Sequence, residues 1–168
     1  MIADSRTSVA FTGHRTYRGA AADALRRTVG ELYARGFRNF LSGMAVGFDL
    51  AAAEAVLELR ERAPGVRLGA AVPFPGQEMR FSPADRERFR RVLAEADSVE
   101  VLAPAYHRGC YAVRNDFLVD NARVLVAWYD GSPGGTRHTV FRALRRGLEF
   151  VNLHPQRAGV ALTEPTLF

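Results

Sequence analysis

"LSGMAVGFDLAAAEA", Leu41 to Ala55, joins an apolar run to an alanine-rich pattern through the small residues Ser42, Gly43 and Gly47, and the joint ends at one acid, Asp49. The run before it, "RNFLS", reads as a buried strand. Leu50, Ala53 and Leu57 after it fall on one side of a helix of about Asp49 to Arg62, which stops at Pro64-Gly65. A strand that passes straight into a helix through a glycine-bearing loop is the building unit of a parallel α/β sheet.

The same unit recurs along the whole chain. Before the quoted stretch, "SVAFT" (Ser8 to Thr12) is a strand, and a helix of about Ala20 to Arg35 closes at Gly36. After it come the strand Val66 to Val72, the Pro-rich loop "PFPGQEMRFSP", and a helix of about Ala84 to Ala96. The strand "SVEVL", a helix of about Ala112 to Asn121, the nearly all-apolar inner strand "RVLVAWY", a helix Thr136 to Arg146 and the strand "EFVNL" complete the pattern. These alternations predict a single α/β, Rossmann-like, doubly wound domain with a mainly parallel sheet of about six strands. It spans residues 1–168, with its core at about 8–153 and an irregular tail at 154–168.

Length and composition agree with one domain: 168 residues suffice for a real core, and 48% hydrophobic content is ordinary for a globular chain. No apolar run approaches the ~18 residues of a membrane span, and the start "MIADSRTSVAF" lacks a signal-peptide core, so the expected location is cytoplasmic, with no membrane partner. The single cysteine, Cys110, excludes an internal disulfide and a multi-cysteine zinc site. The histidines show no metal spacing, so no metal site is expected. All 23 basic residues are arginine against 18 acids, a net charge of +5, and the arginines lie mostly in mixed-sign helices such as "RERFRRVLAEAD". That is the pattern of a solvated face, and nucleic acid is not expected as a partner.

In doubly wound sheets ligands bind beyond the C-terminal ends of the strands, where strand order reverses. Three loops there carry unusual chemistry: "TGHR" after the first strand, "SGMAVGFD" after the second and "DGSPGGT" after the fifth. Helix N-termini expose unpaired N–H groups, and glycine lets an anion approach them closely, while Ser42 and Thr136 add hydroxyls. With no "GK[ST]" and no GxGxxG, magnesium-dependent ATP hydrolysis and ordinary dinucleotide oxidoreduction are disfavoured. Arg15 and Arg114 stand at loop-helix junctions where a guanidinium grips a phosphate, and His14 is placed to bond a base or ribose. Pro73, Phe74, Gln77 and Glu78, with Phe81, form a prospective pocket wall. There an aromatic ring faces a base and the polar pair reads its edge.

Taken together, "TGHR", "SGMAVGFDLAAAEA", "VPFPGQEMRF" and "YAVRNDFLVDNARVLVAWYDGSPGGT" resemble the YpsA-type members of the SLOG superfamily, Rossmann-like domains related to DprA and to the LOG proteins. The similarity runs from about Val9 to Leu153. It implies a pocket for a nucleotide or ADP-ribose-like ligand, used for sensing or, as the alternative, for LOG-like hydrolysis of that ligand, or else a DprA-like single-stranded DNA-binding module; it assigns no cofactor and makes a homodimer reasonable. By position, Ser42, Gly43, Gly47 and Asp49 match the family's first glycine motif, Arg114 and Asn115 its "RN", and Gly134, Gly135 and Thr136 its phosphate-binding "GGT". Gly13, His14, Arg15, Met44, Asp130 and Gly131 complete the expected ligand-binding set. LOG proteins cleave the N-glycosidic bond of nucleoside monophosphates with a glutamate in "PGGxGTxxE". Here that position is Thr139, so catalytic residues are unassigned and Asp49, Asp116, Asp130 and Glu78 are the acids left to replace it. DprA, the other relative, binds single-stranded DNA with lysine-rich surface that this chain lacks.

Overall fold

In a computed structural model, residues 4–155 are described, and they form one six-stranded sheet with helices on both faces. In chain order the elements are β1 (Ser8–Gly13), α1 (Ala22–Ala34), β2 (Asn39–Ser42), α2 (Phe48–Arg60), β3 (Arg67–Val72), α3 (Pro83–Glu95), β4 (Ser98–Val101), α4 (Cys110–Asp120), β5 (Val124–Trp128), α5 (Gly135–Arg145) and β6 (Glu149–Asn152). A short 3₁₀ turn, Gln77–Arg80, lies in the Pro-rich loop. Of the expected tail, residues 156–168 lie outside the described residues. Among the described residues no helix is long and apolar enough to cross a membrane.

The strand order is β4-β3-β2-β1-β5-β6, and every pair is parallel. From β1 the chain steps outward to β4, then returns across the sheet to β5 and steps outward the other way. Right-handed crossovers therefore put α1, α2 and α3 on one face and α4 and α5 on the other. Alternating side chains supply both cores. Val9, Phe11, Val124 and Val126 pack with Leu25, Val29, Phe48, Leu50 and Val56 on the first face. Ala10, Leu125 and Ala127 pack with Leu118, Val119, Val140 and Ala143 on the second. The return crossover is what matters for function. It carries the start of α4 from the β4 edge back to the middle of the sheet, where β1 and β5 part.

Candidate functional site

At that parting, beyond the C-terminal ends of β1 and β5, lies a cavity of about 380 Å³. Thr12, Gly13, His14 and Arg15 form one side, Ala45 and Asp49 a second. The start of α4 adds Tyr111, Arg114 and Asn115, and α5 adds Gly135 and Thr136. Three helices thus turn their N-terminal ends to one space. Each is preceded by a glycine, Gly47, Gly109 or Gly134, and none has a side-chain cap. By contrast α3 is capped by Ser82, whose hydroxyl accepts from the Asp85 N–H at 3.2 Å. The α2 start spends its Phe48 and Leu50 N–H groups on the His14 and Ala45 carbonyls, and α4 its Cys110 N–H on the His107 carbonyl, so the features that favour an anion are the converging helix dipoles and above all the first turn of α5.

Two buried, oppositely charged side chains flank this space and act on one another through their charges without a direct contact. Arg114 is 4% exposed and Asp49 5% exposed. Arg114 donates from Nε to Asn115 Oδ1 at 2.8 Å and from Nη1 to the Gly43 carbonyl, so most of its five N–H donors remain for a ligand. Burial lowers the Arg114 pKa, opposed by the Asp49 charge. Asp49 is pushed up to about 6 by burial, against the pull of Arg114, an Ala45 backbone hydrogen bond and Arg15.

A carboxyl whose folded pKa is raised holds its proton more tightly in the folded chain, so its contribution to stability is present below the unfolded value and lost as pH rises through the folded one. Between pH 4 and 6 this costs on the order of 3 kcal/mol from the shift of 3.8 to about 6. Asp49→Asn is expected to remove that component. Urea unfolding of both proteins from pH 4 to 7 should show stability curves that diverge through the window, and parallel curves would contradict the assignment.

The "SGMAVGFD" loop is tight for internal reasons. Ser42, fully buried, donates to the Asp49 carbonyl at 2.9 Å and accepts from the Met44 N–H at 3.1 Å, so its hydroxyl braces the loop. Met44 is fully buried with a left-handed φ of 64°. A Cβ on Gly43 would sit 2.7 Å from Arg114 Cδ and 3.0 Å from Asp49 Oδ2. At Gly47, φ is 84° and a Cβ would meet the carbonyl oxygens of His14 and Arg15 at 2.6 and 2.7 Å. The glycines of this loop let protein approach protein. The glycines of the α5 turn are open: a Cβ on Gly134 meets nothing within 4 Å, and one on Gly135 nothing closer than Asn115 Nδ2 at 3.6 Å.

The remaining candidates divide. His14 lines the cavity, but its Nε2 lies 2.8 Å from Asp130 Oδ1 and 3.1 Å from the Asp130 backbone N, which ties the β1 loop to the β5 loop. Asp130 also accepts from the Ser132 N–H, and Gly131 follows it with a φ of 92°. Asp116 pairs with His138 and Arg142 on the outside of α4 and α5, and Glu78 lies 3.5 Å from Arg90. Of the four acids left by the missing glutamate, Asp49 alone lines the cavity. Thr139 donates to the Gly135 carbonyl at 2.9 Å inside α5. Pro73 is buried, while Phe74 and Gln77 line a neighbouring chamber. Sequence reasoning missed Thr12, Ala45 and Tyr111. The Tyr111, Arg114, Asn115 spacing, i, i+3, i+4, marks one helix face and was the available signal for the tyrosine.

The profile of the YspA SLOG family matches residues 10–149. The chain belongs to that family. It is 28% identical over 134 residues to a UPF0398 protein of Bacillus thuringiensis strain Al Hakam, 78% of this chain and 72% of that one. A UPF0398 protein of Bacillus cereus strain G9842 is 27% identical over 139 residues, 81% and 75% of the two chains. The fold resembles the DNA processing protein A (DprA) of Streptococcus pneumoniae, with a TM-score of 0.64 and 17% identity over 88% of this chain and 50% of that one. DprA of Helicobacter pylori, whose structure is described by its single-stranded DNA binding mode, gives the same values and is covered over 65%. The chain thus spans half to about two thirds of these DprA chains.

These neighbours overturn the expectation that nucleic acid is not a partner. The expectation rested on net charge and mixed-sign helices, which average over the whole surface. Association with a strand is decided locally, by cations and rings at one groove. Here Arg15 and Arg114 both lie over the Tyr111 ring, at 5.4 and 5.7 Å.

Proposed function

We propose that this family member binds a nucleotide or nucleotide-derived ligand, with phosphate at the N-terminal turn of α5 and beside Arg114, and acts as a ligand sensor. The convergence of three helix N-terminal dipoles, the open first turn of α5 and a buried arginine on one cavity carries this reading. Backbone N–H groups of Gly135 and Thr136 would hold phosphate oxygens, Arg114 would supply charge-assisted bonds, and Arg15 would close the rim. The volume of about 380 Å³ lies within the usual range for small-molecule clefts.

A second reading, a single-stranded nucleic-acid module, draws on the DprA likeness and on the arginine-tyrosine stack. One titration series separates the two. AMP, ADP-ribose, inorganic phosphate and a thymidine oligonucleotide are measured by calorimetry at ~50 and ~200 mM salt, because displaced counterions make strand binding steeply salt-dependent. The nucleotide reading expects AMP or ADP-ribose to bind with little salt dependence and to compete with phosphate. Oligonucleotide binding that neither nucleotide displaces, with no nucleotide affinity, would replace it. Release of free base from AMP, lost in Asp49→Asn, would add hydrolysis to the site, with Asp49 as its acid-base group.

A further inference from the structure

A second chamber, of about 520 Å³, adjoins the first and shares Arg15 and Tyr111 with it. Its outer wall is aromatic. Phe74 meets Tyr106 edge-on at 5.5 Å and Tyr111 at 5.9 Å, and the two tyrosines lie 6.3 Å apart. The inner wall holds Gln77. This side chain opens the 3₁₀ turn, is 4% exposed, and has a buried Oε1 with no hydrogen-bond partner. An amide oxygen taken from water and given no donor is a cost that folding normally avoids. An aromatic wall, a cation at the rim and one unsatisfied acceptor together describe a place for a flat heteroaromatic ring with an N–H edge.

Resting on the phosphate reading above, we propose that this chamber takes the base of the nucleotide, and that the base is one bearing an exocyclic amino group. Phosphate lies at α5 and the ribose passes over the Arg15-Tyr111 stack. The base lies against Phe74 and Tyr111, and its amino group donates to Gln77 Oε1 once the buried amide turns toward the chamber. Adenine satisfies both requirements, since it offers a wide stacking face and a donor beside a ring-nitrogen acceptor, the pattern that a glutamine amide matches. Uracil presents a carbonyl where adenine has its amino group. It also has less surface to stack.

The test uses the full chain with AMP, UMP and ribose 5-phosphate in calorimetry. The wild-type protein is expected to bind AMP at least ~10-fold more tightly than UMP or ribose 5-phosphate, the size of one buried hydrogen bond plus stacking. Gln77→Leu should lose ~10-fold toward AMP and nothing toward ribose 5-phosphate, whereas Gln77→Glu keeps the acceptor and should hold AMP within ~3-fold. Phe74→Ala should weaken AMP and UMP alike and leave ribose 5-phosphate unchanged. Equal binding of all three ligands would overturn the base chamber and leave the phosphate site standing. AMP and UMP of equal affinity, or an AMP preference untouched in Gln77→Leu, would overturn the amino-group contact. Absence of binding by any of the three would remove the phosphate reading itself, and this proposal with it.

Discussion

In Arg114→Leu, affinity for AMP is expected to fall at least ~100-fold, the scale of a desolvated charge-assisted contact to phosphate. Stability should fall as well, because the substitution leaves Asp49 buried without its counter-charge. Breaking a buried pair from one side usually costs ~3–5 kcal/mol. The carboxyl has an escape, however: it can take up a proton, and its pKa, already about 6 with the arginine present, should rise further without it. The loss of stability should therefore be large at pH 8 and much smaller at pH 5. Urea unfolding at the two pH values measures this directly. An equal loss at both would show that Arg114 supports the fold by packing alone. Arg114→Lys keeps a charge but gives up the fork of donors that reaches the Gly43 carbonyl and Asn115, and is expected to lie between.

Gly135→Asp is expected to abolish phosphate-dependent binding, by ~100-fold or more, since it sets a negative charge where helix dipole and N–H groups receive the anion. The fold should be unharmed. A Cβ at this position has room, with Asn115 Nδ2 at 3.6 Å as its nearest neighbour, and an acid in the first turn suits a helix start. The variant thus separates binding from stability in a way that Arg114→Leu does not. Calorimetry and a thermal melt on the same preparation check both halves. Unchanged affinity would place the phosphate elsewhere, and a collapsed melt would mean the turn is tighter than its geometry indicates.

The inner position of "RVLVAWY" could be argued from the sequence because parallel strands buried on both faces are apolar runs, whereas the strand order, with β5 beside β1 at the switch point, could not. Helix starts were legible to within two residues. The helix α4 begins at Cys110 instead of Ala112 because Gly109, with φ of 89°, lets the chain turn in earlier. The identity of the loops was equally legible, since glycine and polar residues stand out between apolar runs. What each glycine touches was not. Gly43 meets Arg114 across 71 positions of chain, a contact that only the return crossover creates. Asp49 stood out in the sequence as part of the glycine motif, but its burial, which pushes its pKa up to about 6 against the pull of Arg114, was not legible there. Charge composition misled about nucleic acid because the sum of 23 arginines and 18 acids carries no position.

That return crossover also sets a timetable. The cavity needs residues 12–15 and 45–49, then 111–115, then 135–136, so its last wall is synthesised only when about four-fifths of the 168-residue chain has been made. The first four strands emerge earlier, carrying "SGMAVGFD" and Asp49 but neither Arg114 nor the α5 turn. A nascent or truncated chain of that kind has the family's most recognisable loop and no place for an anion. On the proposed reading, a ligand that bridges β1, α4 and α5 would fasten the earliest part of the chain to the latest, and occupancy of the cavity would report on a finished molecule.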